Sequence, residues 1–242
     1  MITVILNCYK RPQYLKEQIV AIQSQTIKPE EIIIWYNKPE DNQQYNISGL
    51  GAKVILCDHN YKFHGRFAAG LLAKTKYVAI FDDDTIPGKK WFENCINSIS
   101  EKPGIYGTTG VVIHGNGYIP NHKVGWNGNI SNENIEEVDL VGHAWFLERE
   151  HLLYLWREEP YSWENGEDMQ LSYYAQKYGN IKTFVPPHPN SDLEMWGSIK
   201  GMKYGNDISS SWKKSNHMIL RDQIVKRQIK NGWLTVQMDK NK

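Results

Sequence analysis

Apolar residues recur along this chain with two different periods. Residues 2–8 (ITVILNC) are a continuous apolar run, the pattern of a strand covered on both faces. After Lys10-Arg11-Pro12, residues Leu15, Ile19 and Ile22 repeat at helical spacing, with Pro12 suited to a first helical turn. Residues 31–36 (EIIIWY) and 53–56 read as the second and third strands, 67–73 as a helix, and 77–81 as a fourth strand that runs into three aspartates. Val- and Ile-rich strands alternating with helices predict βαβ units around a mostly parallel sheet. Downstream the pattern loosens into a strand over 105–113, a Gly/Asn-rich loop over 114–133 and a strand over 138–147. A helix over 166–178, a short strand over 181–185, a Pro/Gly/Ser-rich segment over 186–211 and a basic helix over 213–230 complete the prediction. No repeat or linker divides the chain, so residues 1–242 read as a single domain.

Composition narrows the class without naming a function. With 242 residues, 40% of them hydrophobic, and 28 Lys+Arg against 27 Asp+Glu, disorder and collagen-like architectures are excluded. No apolar run approaches the roughly 18 residues of a membrane span, and the N-terminus lacks the plan of a signal peptide. Cys8, Cys57 and Cys95 form no CxxC pair and read as reduced thiols; a cytoplasmic location is the expectation. Charge is uneven: residues 200–242 carry 10 Lys+Arg and 3 Asp, a local +7. That tail suits an anion, with at most weak peripheral contact with a membrane surface, and basic charge confined to it argues against nucleic acid. The aromatics are 9 Trp and 14 Tyr against 6 Phe, rings with a polar handle that suit half-wet surfaces, sugar-binding ones included.

Asp82, Asp83 and Asp84 follow the fourth predicted strand, where open α/β sheets bind their ligands. One of them could cap a helix after Pro87, but capping needs only one. Three adjacent carboxylates repel one another, and hard oxygen donors without Cys point to Mg²⁺ or Mn²⁺. A nucleoside diphosphate is the natural partner of such a metal, yet there is no GxxxxGK[ST] loop and no GxGxxG after the first strand. Metal and cationic side chains would then have to hold the phosphates.

Tyr9-Lys10-Arg11-Pro12 after the first strand, Trp35-Tyr36-Asn37 closing the second, and Phe81-Asp82-Asp83-Asp84 together resemble a GT-A glycosyltransferase. The likeness leans to the exostosin-like enzymes through Trp35-Tyr36-Asn37, Asn60 with Arg66-Phe67, Glu167-Asp168, and His217 with Arg221. It implies a GT-A, Rossmann-like α/β fold whose mostly parallel central sheet is flanked by helices, with a smaller mixed sheet on the acceptor side. Residues 1–100 would be the nucleotide-sugar-binding half and 101–242 the acceptor half. The implied reaction moves a sugar from a UDP-sugar to a saccharide acceptor with Mn²⁺ or Mg²⁺, the anomeric configuration being retained. Arg11, Asn37, Asn60 and Arg66 would contact the uridine and its phosphates, while Asp82, Asp83 and Asp84 bind ribose and metal, Asp84 directly.

Counting at about 100° per residue puts Glu167 and Asp168 on the apolar side of their helix with Leu171, Tyr174, Ala175 and Tyr178, whereas Met169 points away from it. Two inward carboxylates at a helix start exceed what the helix dipole asks for, and they are candidates for catalysis or acceptor binding. The resemblance sets Asp168 near the bond that breaks and gives Arg221 the departing diphosphate; His143, in Gly142-His143-Ala144-Trp145, would line the acceptor pocket. In family-2-like inverting enzymes of the same fold, a His shortly after the Glu-Asp helix can complete the metal site. His188 holds that place here, and Asp168 would then be a general base. Seven Trp fall after residue 120; of these, Trp163 and Trp196 are the expected stacking partners of an acceptor sugar. A metal-dependent nucleotidyltransferase and a carbohydrate-binding module are the competing readings.

Overall fold

The first apolar run forms strand β1 (Ile2–Cys8), and a 3-10 turn at Pro12–Tyr14 leads into helix α1 (Leu15–Gln23). In this computed structural model, which describes residues 1–39, 45–47, 49–126, 130–207 and 210–240, the next elements are β2 (Glu31–Tyr36), β3 (Lys53–Leu56), α2 (Gly65–Gly70) and β4 (Tyr77–Phe81). β1 pairs in parallel with β2 on one side and β4 on the other, and β2 pairs in parallel with β3. The alternation of the strand sorts its side chains. Ile2, Val4, Leu6 and Cys8 enter one core with α1 residues Ile19 and Ile22, while Ile5 enters the opposite core with Phe67 of α2. The crevice between β1 and β4, where strand order reverses, opens at the carboxyl ends that carry Arg11 and Asp82–Asp84.

Helix α3 (Trp91–Glu101) then leads to β5 (Gly104–Ile113), β6 (Asn121–Val124), β7 (Glu136–Val138) and β8 (Leu140–Glu148). Helix α4 (Glu167–Gly179), β9 (Lys182–Val185), the short α5 (Gly201–Tyr204), α6 (His217–Lys230) and α7 (Val236–Lys240) complete the order. The mixed half is not a separate sheet. β8 lies antiparallel between β4 and β5, and one nine-stranded sheet runs β3-β2-β1-β4-β8-β5-β9-β7, with β6 paired to β5.

Differences from the sequence reading have identifiable contacts behind them. The predicted loop over 114–133 contains β6, which folds back on β5 so that Val111 faces Lys123. The strand predicted over 138–147 is broken at Asp139, whose carboxylate accepts the backbone N–H of Ile113 and of Val236, each at 2.7 Å; that buried clasp ties α7 to β5. The helix after Pro87 starts only at Trp91, so none of the three aspartates caps it. α6 begins at His217, after a 3-10 turn at Ser211–Lys213. Met169 does point away from the Leu171 and Ala175 side, but into a third core made with Tyr173, Ile224 and Trp233, so α4 is buried on both sides. No helix among the described residues is long and apolar enough to cross a membrane.

Candidate active site

The two acidic clusters, far apart in sequence, meet through one guanidinium. Arg66 Nη2 lies 3.0 Å from Asp82 Oδ1 and 3.0 Å from Glu167 Oε1. α2 brings Arg66 there because Gly65 lets the helix press on Trp35: a Cβ at residue 65 would stand 2.6 Å from the indole. The arginine is 2% exposed, with the rings of Phe63, Phe67 and Trp145 within 5.6 Å of its Cζ, aromatic faces that suit a desolvated cation.

Arg11 secures the other two aspartates. Its Nη1 reaches Asp83 at 2.8 Å and Asp84 at 3.1 Å, its Nε and Nη2 take both oxygens of Asp207 at 2.8 Å, and Nη2 also meets Ser210 Oγ at 3.2 Å. Gln18 fixes the turn by donating to the carbonyls of Asp82 and Thr85, both at 2.8 Å. At the start of α4, Asp168 is gripped by Arg221 through two bonds of 3.2 and 2.7 Å, and Arg221 also donates to Asn165 Oδ1 at 3.2 Å. Asn165 in turn meets His217 at 2.9 Å, so the His217 and Arg221 pattern of α6 is used to orient Asp168.

Six carboxylates, Asp82, Asp83, Asp84, Asp207, Glu167 and Asp168, thus face three guanidiniums. The surplus of negative charge shows in the titration of the buried ones. Burial raises Asp83 to about 6 against the pull of Arg11, and burial with Asp168 beside it raises Glu167 to about 7 despite Arg66. Asp82 is raised by burial and Asp84, partly offset by Arg66. Burial also pushes Asp84 upward, but His143 and Arg11 outweigh it and hold this carboxyl below its ordinary value.

His143 stands at φ +66°, a left-handed backbone rare for a residue with a side chain. Its carbonyl accepts Asp82 N at 2.9 Å and Thr85 Oγ1 at 3.0 Å, which locks β8 to the aspartate turn. The side chain is thereby delivered to the carboxylates: donor atoms of Asp82, Asp84 and His143 all lie within 4.8 Å of one another, and His143 Nδ1 is buried without a hydrogen-bond partner. Two carboxylates, a nitrogen with an unused lone pair and surplus negative charge fit a divalent cation. His188, expected to ligate the metal, is not in this group. It is fully buried, stacked on Trp196 at 5.1 Å, and its Nε2 accepts Gly197 N at 3.3 Å. Burial drops its pKa to about 3.

The remaining expected residues divide the same way. Asn37 and Asn60 meet each other at 2.7 Å, and both hold the backbone of residues 61–62. Trp163 is half exposed, edge-on to His64 at 4.9 Å and beside the turn that leads into Asp168. Trp196 is 3% exposed, with its indole N–H on Pro189 O at 2.8 Å and one face covered by His188; it has no surface for a sugar and belongs to the core. Three neighbours were not foreseen. Asp207 lies in a segment read only as Pro/Gly/Ser-rich. His64, 2% exposed with both ring nitrogens unpartnered, gave no signal beyond its place before Arg66. Lys123 fell inside the predicted loop.

Comparisons with known proteins bear on the family and the fold. The family described as Glycosyl transferase family 2 matches residues 3–156, a stretch that holds Arg11, Arg66, Asp82–Asp84 and His143 but not Glu167, Asp168 or Arg221. Among solved structures, S. aureus TarS superposes with a TM-score of 0.55 at 14% identity, over 77% of this chain and 36% of that one. The structure of S. aureus TarS 1-349 gives 0.54 at 16% identity, over 78% and 60% respectively. At such identities the likeness is one of fold, and the chain spans between about a third and three-fifths of those chains. No curated protein sequence matches.

Proposed function

The chain belongs to glycosyl transferase family 2, and we propose that it transfers a sugar from a UDP-sugar to a saccharide acceptor with a divalent cation held by Asp82, Asp84 and His143. Glycosyl transfer, with a nucleotide-sugar donor and a glycan acceptor, follows from the family; the donor base, the cation and the residue roles are our reading. The observation that carries it is Arg66, which joins the aspartate turn to Glu167-Asp168 and so makes one site of two carboxylate clusters. Bound there, a divalent cation would offset the charge of the donor diphosphate. A nitrogen donor beside two carboxylates suits Mn²⁺ better than Mg²⁺.

Of the two stereochemical courses, family membership supports inversion, with Asp168 as general base. A carboxylate can accept about four hydrogen bonds. Asp168 receives two from Arg221 and one from Met169 N, which leaves a lone pair for an acceptor hydroxyl. Asp168 takes that proton as the acceptor oxygen attacks the anomeric carbon, and the bond to the diphosphate breaks on the opposite face with its electron pair. Arg221 positions the base, and Arg66 keeps Glu167 and Asp82 in place. Trp163 offers an exposed ring to the acceptor.

Calorimetry of UDP with and without Mn²⁺ tests the cation site. Mn²⁺ should tighten UDP binding in the wild type and not in the Asp82→Ala/Asp84→Ala variant; an unchanged Mn²⁺ effect in that variant overturns the assignment. NMR of the product distinguishes the courses: a β-linked product from an α-linked donor is inversion, and an α-linked one restores the retaining course.

A further inference from the structure

A departing nucleoside diphosphate gains negative charge, and a cation that meets it lowers the barrier. The three guanidiniums of the site are already committed to carboxylates: Arg11 to Asp83, Asp84 and Asp207, Arg66 to Asp82 and Glu167, Arg221 to Asp168. Arg221, which the sequence resemblance gave to the leaving group, is held by both oxygens of the proposed base. A guanidinium whose charge already faces one or more carboxylates brings less net positive charge to a phosphate than an unpaired cation does.

Lys123 has no such commitment. It projects from β6, and its Nζ lies 4.7 Å from the centre of the Trp126 ring. Trp126 packs in turn on His143, ring to ring at 4.5 Å, so the ammonium is one aromatic ring away from the group that fits a cation. Burial, and after it the positive charge of Arg221, hold the Lys123 pKa below its ordinary value. Among the described residues no carboxylate lies within ion-pair distance of Lys123. Beside His143, Gly142 has open space where a Cβ would be, with nothing within 4 Å. An exposed ammonium, with no carboxylate partner among the described residues, therefore sits one aromatic ring from the Asp82, Asp84 and His143 group.

We propose that Lys123 is the leaving-group residue, its ammonium donating hydrogen bonds to the terminal phosphate of the nucleoside diphosphate as the glycosidic bond breaks. The inference rests on the UDP-sugar reading above. The electron pair of the broken bond stays on the phosphate oxygen, and Lys123 keeps its proton throughout. Trp126 carries the ammonium by a cation–π contact, which costs the lysine no hydrogen bond.

The test compares UDP with UMP, which lacks the terminal phosphate, by calorimetry in Mn²⁺ on the wild type, Lys123→Gln and Lys123→Arg. A lost charge-assisted contact should weaken UDP about tenfold in the Gln variant, leave UMP within about twofold, and be restored by Arg. UDP-sugar hydrolysis, followed as free UDP, should slow in parallel in the Gln variant. Equal losses for UDP and UMP, or none for UDP, overturn the role of Lys123 while the donor reading stands. A wild type without Mn²⁺-dependent UDP affinity overturns the donor reading and Lys123 with it.

Discussion

In the proposed reaction Asp168 is the general base, and its environment makes that role separable from binding. Asp168→Asn keeps the shape and loses the base, so transfer should fall by about 10²- to 10⁴-fold while calorimetric UDP affinity stays within about twofold. A matching loss of UDP affinity would return Asp168 to donor binding. His143 and His188 make a second pair to compare: His143→Ala should weaken Mn²⁺-dependent UDP binding about tenfold, and His188→Gln should leave it intact. What could be read in the sequence at this scale follows from residue type. Asp82–Asp84 and Glu167-Asp168 stood out because like charges packed together need a reason. His143 stood out only as a residue flanked by Gly142 and Ala144, because its approach to Asp84 depends on a left-handed φ that no spacing encodes. Trp196 was misplaced for the opposite reason: a Trp in a loop-like segment reads as surface, whereas His188 and Pro189 draw it inward.

Elements set where these side chains point. Gly166 precedes Glu167 at φ +93°, and a Cβ there would stand 2.3 Å from Ile224 Cδ1 of α6. Gly166→Ala should therefore cost about 1–3 kcal/mol in urea unfolding. It should also lower kcat more than it raises the donor KM, because it shifts the start of α4 rather than the nucleotide side. The turn after β9 gives a pH dependence. The folded pKa of His188, about 3, lies below its unfolded value of 6.5, so the stability tied to its neutral ring is present above pH 6.5 and is lost as pH falls toward 3. The loss is on the order of a few kcal/mol, and His188→Gln should flatten the urea midpoint between pH 6.5 and 4 relative to wild type; parallel profiles would remove His188 as its source. Strands β1, β2 and β4 were legible because buried parallel strands are continuous apolar runs, and β3 as a short apolar run although it lies largely exposed at the sheet edge. The start of α2 at Gly65 and the break at Asp139 were not, since each answers to a partner distant in sequence, Trp35 in one case and Val236 in the other.

Over the whole molecule, β8 joins the two halves into one sheet, so ligand binding at the proposed donor site should stabilise both. At 100 times its dissociation constant, UDP with Mn²⁺ contributes about 2.7 kcal/mol, a shift of roughly 5–10 °C in Tm for a chain of this size. Calorimetric scanning should show one transition moving as a unit; two transitions, only one of them shifted, would mean that the halves melt apart. The change from alternating strands and helices to a looser second half was legible from hydrophobic periodicity, but the fusion of the two into one sheet was not, because antiparallel insertion of β8 between β4 and β5 leaves no mark in it. The ion pairs from Arg66 give this fusion a practical meaning. The stretch matched by the family stops at residue 156, yet Arg66 finds Glu167 beyond it, and Gly104–Tyr106 of β5 complete their ladder on β9. A fragment cut at that boundary would expose a raw strand edge, the kind that recruits foreign strands into aggregates, and would leave a desolvated arginine short of a carboxylate. The recognisable part of the chain is therefore not a portable one: grafting it into a chimera would require the following helix and strand to travel with it.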